Sequence, residues 1–93
     1  MLFRVGKVHI SRAILTSNIT AQDMVSAFAL YINGDWGETT AREEVENDLA
    51  IACGDRIVGR YFSDTGEEFC ISTYEGVTEI VTTSEVKNYT RAK

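Results

Sequence analysis

The sequence predicts an α+β domain: a helical hairpin packed on a small three- to four-stranded antiparallel β-sheet. Between Thr20 and Gly54, apolar residues recur at helical spacing behind two capping signals. From Arg56 onward the period changes to two, and short runs of β-branched and aromatic residues alternate with glycine-containing turns. Proline is absent, so nothing enforces a break within these runs. A chain of 93 residues has room for one hydrophobic core, so residues 1–93 are expected to form a single domain.

Phe3 to Ile10 alternates well enough for a strand, with an interruption at Gly6. Ser11 to Leu15 can form one helical turn. Thr20 followed by Asp23 is a variant of the capping box and opens a helix over about 21–32. Met24, Val25, Phe28, Tyr31 and Ile32 form its apolar stripe. Asn33 to Gly37 must turn, because Gly34 and Gly37 tolerate positive φ. A second capping box, Thr40 with Glu43, opens a helix that runs to Gly54, a natural C-cap. Its expected buried stripe is Ala41, Val45, Leu49 and Ala52, spaced by four, four and three. Arg56–Phe62, Phe69–Tyr74 and Val77–Thr82 then form a meander joined by Ser63-Asp64-Thr65-Gly66 and Glu75-Gly76. Alternation alone does not decide which sheet face meets the helices.

Composition narrows the class. A hydrophobic fraction of 44% and a charged fraction of 25% are ordinary for a globular domain. No run approaches the roughly 18–20 apolar residues of a membrane span, so no membrane association is expected. Met1 to Lys7 lacks the apolar block of a secretory signal, which points to the cytoplasm. The sequons at Asn18 and Asn88 are then chance matches, and Cys53 and Cys70 are expected to pack as small apolar groups.

The net charge of −5 is unevenly placed. Asp35, Glu38, Glu43, Glu44, Glu46 and Asp48 stand against the single Arg42, and this segment carries the whole excess. An acidic domain without a basic stripe is a poor candidate for direct nucleic-acid binding, although Arg4, Lys7 and Arg12, and Lys87, Arg91 and Lys93, leave basic ends. Its charge suits a protein partner with a basic surface.

Few residues offer chemistry. Trp36, flanked by Asp35 and Gly37 after Gly34, is expected to be an internal wedge beneath the helices, with Asp35 bonding turn amides; the competing role is an exposed recognition anchor. Counting from Asn33 to Glu44 gives a calcium-loop length, but Gly37 stands at the fifth position and Glu38 where the sharp turn needs glycine. His9, the only histidine, has no acid or nucleophile at fixed spacing and is expected to be half-buried and structural. Neither cysteine lies in a reactive or zinc-binding motif, and no phosphate-cradling loop is present, so no catalytic residue, cofactor or metal is assigned.

Gly34-Asp35-Trp36-Gly37, then Asn47, then Gly54-Asp55-Arg56-Ile57 leading to Tyr61, then Ile71-Ser72-Thr73 and Ser84-Glu85, resemble a family of small bacterial proteins without an assigned activity. That family is carried largely on plasmids, phages and other mobile elements. Its members are often labelled as a type I restriction enzyme subunit, though they are far too short to be the methyltransferase. The resemblance spans residues 8 to 86. Its pattern usually has histidine where this chain has Tyr31, often serine at Gly59, and proline and tyrosine at Thr83 and Val86. The resemblance implies a cytoplasmic accessory protein in a setting of conflict between mobile DNA and its host.

The function expected from these observations is a non-enzymatic accessory protein that binds another protein through its acidic helix, with Glu43, Glu44, Glu46 and Asp48 as the contact residues. The second hypothesis is a small metal-dependent enzyme using Asp35 and Glu38. The sequence leaves the oligomeric state open, a homodimer included.

Overall fold

The computed structural model of the chain describes residues 3–86. Lys87, Arg91, Lys93 and the sequon at Asn88 lie outside the described residues. Eight elements follow in order: β1 (Lys7–Ile10), α1 (Arg12–Leu15), α2 (Ala21–Tyr31), α3 (Ala41–Cys53), β2 (Ile57–Phe62), β3 (Glu68–Tyr74), β4 (Val77–Thr82) and α4 (Thr83–Val86). This is the α+β architecture expected from the two periodicities, with one correction to the sheet. Strand order is β1-β4-β3-β2, and while β2, β3 and β4 form the antiparallel meander, β1 lies parallel to β4. The sheet is therefore mixed. Chain direction explains the pairing: β1 is followed by helices that carry the chain across the sheet before the meander begins.

Local chemistry sets the element ends. Thr20 and Thr40 each accept from the third helical amide, while Asp23 and Glu43 accept from the cap amides, so both capping boxes are complete. Gly54 closes α3 in the left-handed conformation. Both central residues of the β3–β4 turn, Glu75 and Gly76, have positive φ, the requirement of a primed hairpin turn whose twist matches its strands.

The register decides which face is buried. Ile57, Gly59 and Tyr61 of β2 stand opposite Thr73, Ile71 and Phe69 of β3, and these in turn opposite Thr78, Ile80 and Thr82 of β4. This face meets the helices: an added Cβ on Gly59 would lie 3.0 Å from the Tyr31 ring of α2. Val77, Glu79 and Val81 point the other way. Ile14, Ala27, Tyr31, Trp36, Ala50, Ile57, Tyr61, Phe69, Ile71 and Ile80 make one core cluster. Through it runs a buried hydroxyl chain. Tyr31 Oη donates to Thr73 Oγ1 (2.7 Å), the Thr73 and Thr78 hydroxyls lie 2.7 Å apart, and Thr78 donates to the Val5 carbonyl (2.6 Å). Because Thr78 spends its only hydroxyl proton on Val5, Thr73 must be the donor between the two threonines. Tyr31 is thus a core residue.

On the opposite face Cys70 and Ser72 are buried, and Arg56 donates to Ser72 Oγ (3.1 Å) while lying over the Tyr74 ring. Among the described residues no helix is long and apolar enough to cross a membrane.

Candidate functional site

The Asn33–Thr40 segment links α2 to α3 and fastens both to β2. The Asp35 side chain accepts from the Gly37 amide (3.1 Å), which folds the turn back on itself. The Tyr61 hydroxyl donates to the Asp35 carbonyl (2.8 Å). Arg60 N–H then donates to the Trp36 carbonyl (2.8 Å), and Glu38 N–H to the Arg60 carbonyl (2.7 Å). Two backbone bonds thus make Gly37 a short parallel bridge to β2. Any side chain at Gly37 would place its Cβ 2.1 Å from the Arg60 carbonyl oxygen and 2.8 Å from the Tyr61 ring, at a φ of +75°. Only glycine fits.

Trp36 is buried as the wedge expected, its ring against Phe3 and Tyr31 at centroid separations of 5.9 and 5.6 Å. Its indole N–H donates to Asp48 Oδ1 on α3 (3.1 Å), satisfying the one polar atom of a buried ring. One side chain therefore joins α2, α3 and the N-terminal segment. The Gly34-Asp35-Trp36-Gly37 stretch is a fold device, and its tryptophan does not project into solvent as a recognition anchor.

Helix α3 lies with a different face inward from the one its apolar pattern predicts. Val45 and Leu49 are 58% and 60% exposed, and Ala41 and Ala52 are exposed as well. The inward face consists of Glu43, Asn47, Ala50 and Ile51. Two polar contacts impose this orientation. Asn47, fully buried, donates through Nδ2 to the Val58 carbonyl (2.8 Å) and accepts at Oδ1 from the Val58 amide (3.0 Å), reproducing the hydrogen bonding of a neighbouring strand. Glu43 receives Arg60 Nη2 at 2.8 Å, and Arg60 also reaches Glu68 at 3.7 Å. Burial raises the Glu43 pKa, but the Thr40 amide and the Arg60 guanidinium outweigh it and leave that carboxyl below its ordinary value. Sequence reasoning quoted Asn47 as part of the resemblance but gave it no structural role, although the signal was present: asparagine is disfavoured within helices unless its amide has work to do.

The four acidic residues expected to bind a partner therefore divide. Glu43 holds Arg60 and the cap of its own helix, and Asp48 holds the indole while remaining exposed. Glu44 is exposed, and Glu46 lies 3.9 Å from Arg42 one turn away. Asn33, Asp35, Glu44 and Asp48 border an open cleft of about 460 Å³ beside Gly34 and Trp36. The outer surface of α3 thus presents an apolar stripe of Ala41, Val45, Leu49 and Ala52 flanked on one side by Glu44, Asp48 and the acidic cleft.

The remaining candidates separate. Glu38 is exposed, while the Asp35 carboxylate serves its turn, and among the described residues no group of three or more His, Cys, Asp and Glu is placed to hold a metal ion. His9 is exposed on β1 rather than half-buried, because no described strand covers that edge. Cys70 packs in the interior as expected, where burial raises its thiol pKa, but Cys53 is exposed at the end of α3. No family model, curated protein or solved structure matches the chain.

Proposed function

We propose that this chain is a non-enzymatic accessory domain that binds another protein through the outer surface of α3. The observation carrying this reading is an apolar stripe, spaced as if for burial, that faces solvent beside carboxylates. Burying it on a partner removes the Val45 and Leu49 side chains from water at roughly 25 cal/mol per Å² of apolar area. Glu44 and Asp48, with the cleft behind them, favour a partner that sets arginine or lysine beside apolar residues. Complementary charge acts mainly on encounter rate and choice of partner, so the association should weaken as salt is added. The resemblance of the Gly34–Gly37 turn and Asn47 to a mobile-element family supports a cytoplasmic setting in which mobile DNA and host proteins meet.

Capture of partners from a host extract on the immobilised protein tests the reading. A Val45→Ser/Leu49→Ser variant and a Glu44→Lys/Glu46→Lys variant should each reduce recovery at least tenfold while leaving the fold intact, because none of the four side chains is buried. The same partners recovered in the same yield by either folded variant would overturn it.

A further inference from the structure

The opposite side of the molecule carries a second unfinished surface, independent of the α3 reading. Among the described residues, strand β1 is an edge of the sheet. Lys7 N–H donates to Gly76 O (3.3 Å) and Ser11 N–H to Ile80 O (3.0 Å), so the odd-numbered residues turn their backbone groups toward β4. By alternation, Val8 and Ile10 turn theirs outward. The side chains of these two residues, 45% and 41% exposed, line an apolar groove of about 310 Å³ with Met24, Val25 and Phe28 of α2.

We propose that this edge pairs with the same edge of a second copy, antiparallel about a two-fold axis at His9, to give a continuous eight-stranded sheet. The register follows from the strand. With Val8 opposite Ile10 of the second copy, all four outward amides of the two strands find outward carbonyls, and the apolar side chains of both copies fall on the helix-bearing face. Shifting the pair so that Val8 faces Val8 would recruit Gly6, whose φ of +63° takes it out of the strand. A two-fold axis perpendicular to the sheet keeps both helix layers on one side, so each groove is closed by the Val8, Ile10 and Val25 of the other copy. On the other face, Lys7 stands opposite Ser11 of the second copy, whose hydroxyl donates to Glu85 (2.8 Å). The Thr82 amide, with the Ser11 and Thr82 hydroxyls, holds that carboxyl below its ordinary pKa despite some desolvation. Each lysine thus meets a carboxylate across the seam, twice by symmetry. The opposite sheet edge offers no such template, because Trp36, Glu38 and Asn47 already occupy it.

Sedimentation of the full chain over a wide concentration range should show a reversible monomer–dimer equilibrium. Ile10→Lys, which sets an ammonium group in the seam, should give a folded monomer. In a Cys53→Ser background, mild oxidation should link His9→Cys into a covalent dimer, since the two positions form a close non-hydrogen-bonded pair with Cα atoms about 4.5 Å apart. Lys7→Cys, opposite Ser11, should not link. A wild-type monomer at millimolar concentration overturns the proposal, as does a dimer that survives Ile10→Lys or that links through Lys7→Cys as readily as through His9→Cys. A monomer whose Val8 and Ile10 amides resist hydrogen exchange also overturns it, by placing another segment on the edge.

Discussion

Along the outer edge of β2 the backbone groups of Val58 are held by the Asn47 amide and those of Arg60 by the Trp36 carbonyl and Glu38 amide, whereas along β1 the outward groups of Val8 and Ile10 have no described strand beyond them. Both are edges of one sheet, yet the first is sealed by a tight turn and a helix while the second is left uncovered by the described residues and is lined by apolar side chains. An exposed strand edge invites pairing with other chains, and proteins commonly cover or shorten it. This molecule places its most constrained residues, Trp36, Gly37 and Asn47, at the β2 edge. The contrast teaches that the conspicuous tryptophan turn closes one edge, and that surfaces left for partners lie elsewhere.

The contrast breaks most completely at Trp36. Trp36→Ala should destabilise the chain by about 3–5 kcal/mol, the range for truncating a large buried aromatic, and should also release the Asp48 carboxylate. That is a large share of the ~5–15 kcal/mol that holds such domains, so urea denaturation followed by circular dichroism should show a partly unfolded variant at neutral pH. Asn47→Ala comes next, at about 2–3 kcal/mol, because it strands the Val58 amide and carbonyl together. A loss under about 0.5 kcal/mol, as expected for an ordinary exposed helix position, would refute the clamp.

Most of the framework was legible in the sequence, and the failures share one cause. Both capping boxes, the Gly54 cap, the three meander strands and the buried tryptophan follow from local rules that depend on neighbouring residues. The orientation of α3 does not. Its inward face carries Glu43 and Asn47, which look like surface residues until β2 supplies Arg60 and an unpaired backbone, and its outward face carries Val45 and Leu49, which look like core. A stripe of apolar residues predicts burial only when no long-range polar contact outbids it. The parallel β1–β4 pairing was hidden for a related reason, since nothing in Lys7–Ile10 names its partner strand. The acidic patch was legible as charge, but not its division: Glu43 holds Arg60, Asp48 holds the indole from the surface, Glu46 lies beside Arg42, and Glu44 is exposed.

Acid sharpens the comparison at a smaller scale. Glu43 beside the covered edge and Glu85 beside the open one both titrate below their ordinary range, and Asp23 does so through the Thr20 and Asp64 amides. A carboxyl whose folded pKa is depressed stabilises the fold above its unfolded pKa, roughly 4, and that contribution is lost as pH falls through the folded value. Stability should therefore be flat from neutrality to about pH 5 and decline below it. Glu43→Gln should cost about 1 kcal/mol at pH 7, the scale of a partly exposed ion pair, and should shallow the acid decline; an unchanged decline would detach Glu43 from the β2 edge.

The smallest thermodynamic effect is expected at β1, where the structural difference is nevertheless easiest to see. Val8→Thr keeps a β-branched side chain at a half-exposed position, so in dilute solution it should change stability by less than about 0.5 kcal/mol. Amide hydrogen exchange under the same conditions separates the two edges directly. The Val58 and Arg60 amides can exchange only when the Asn47 clamp or the Trp36 turn opens, whereas the Val8 and Ile10 amides already point outward. The first pair should be protected by orders of magnitude relative to the second, and Asn47→Ala should remove that protection at Val58 before it does so at Arg60, because Arg60 donates to the turn and not to the helix. Equal protection at the four amides would mean that the edges are not finished differently after all.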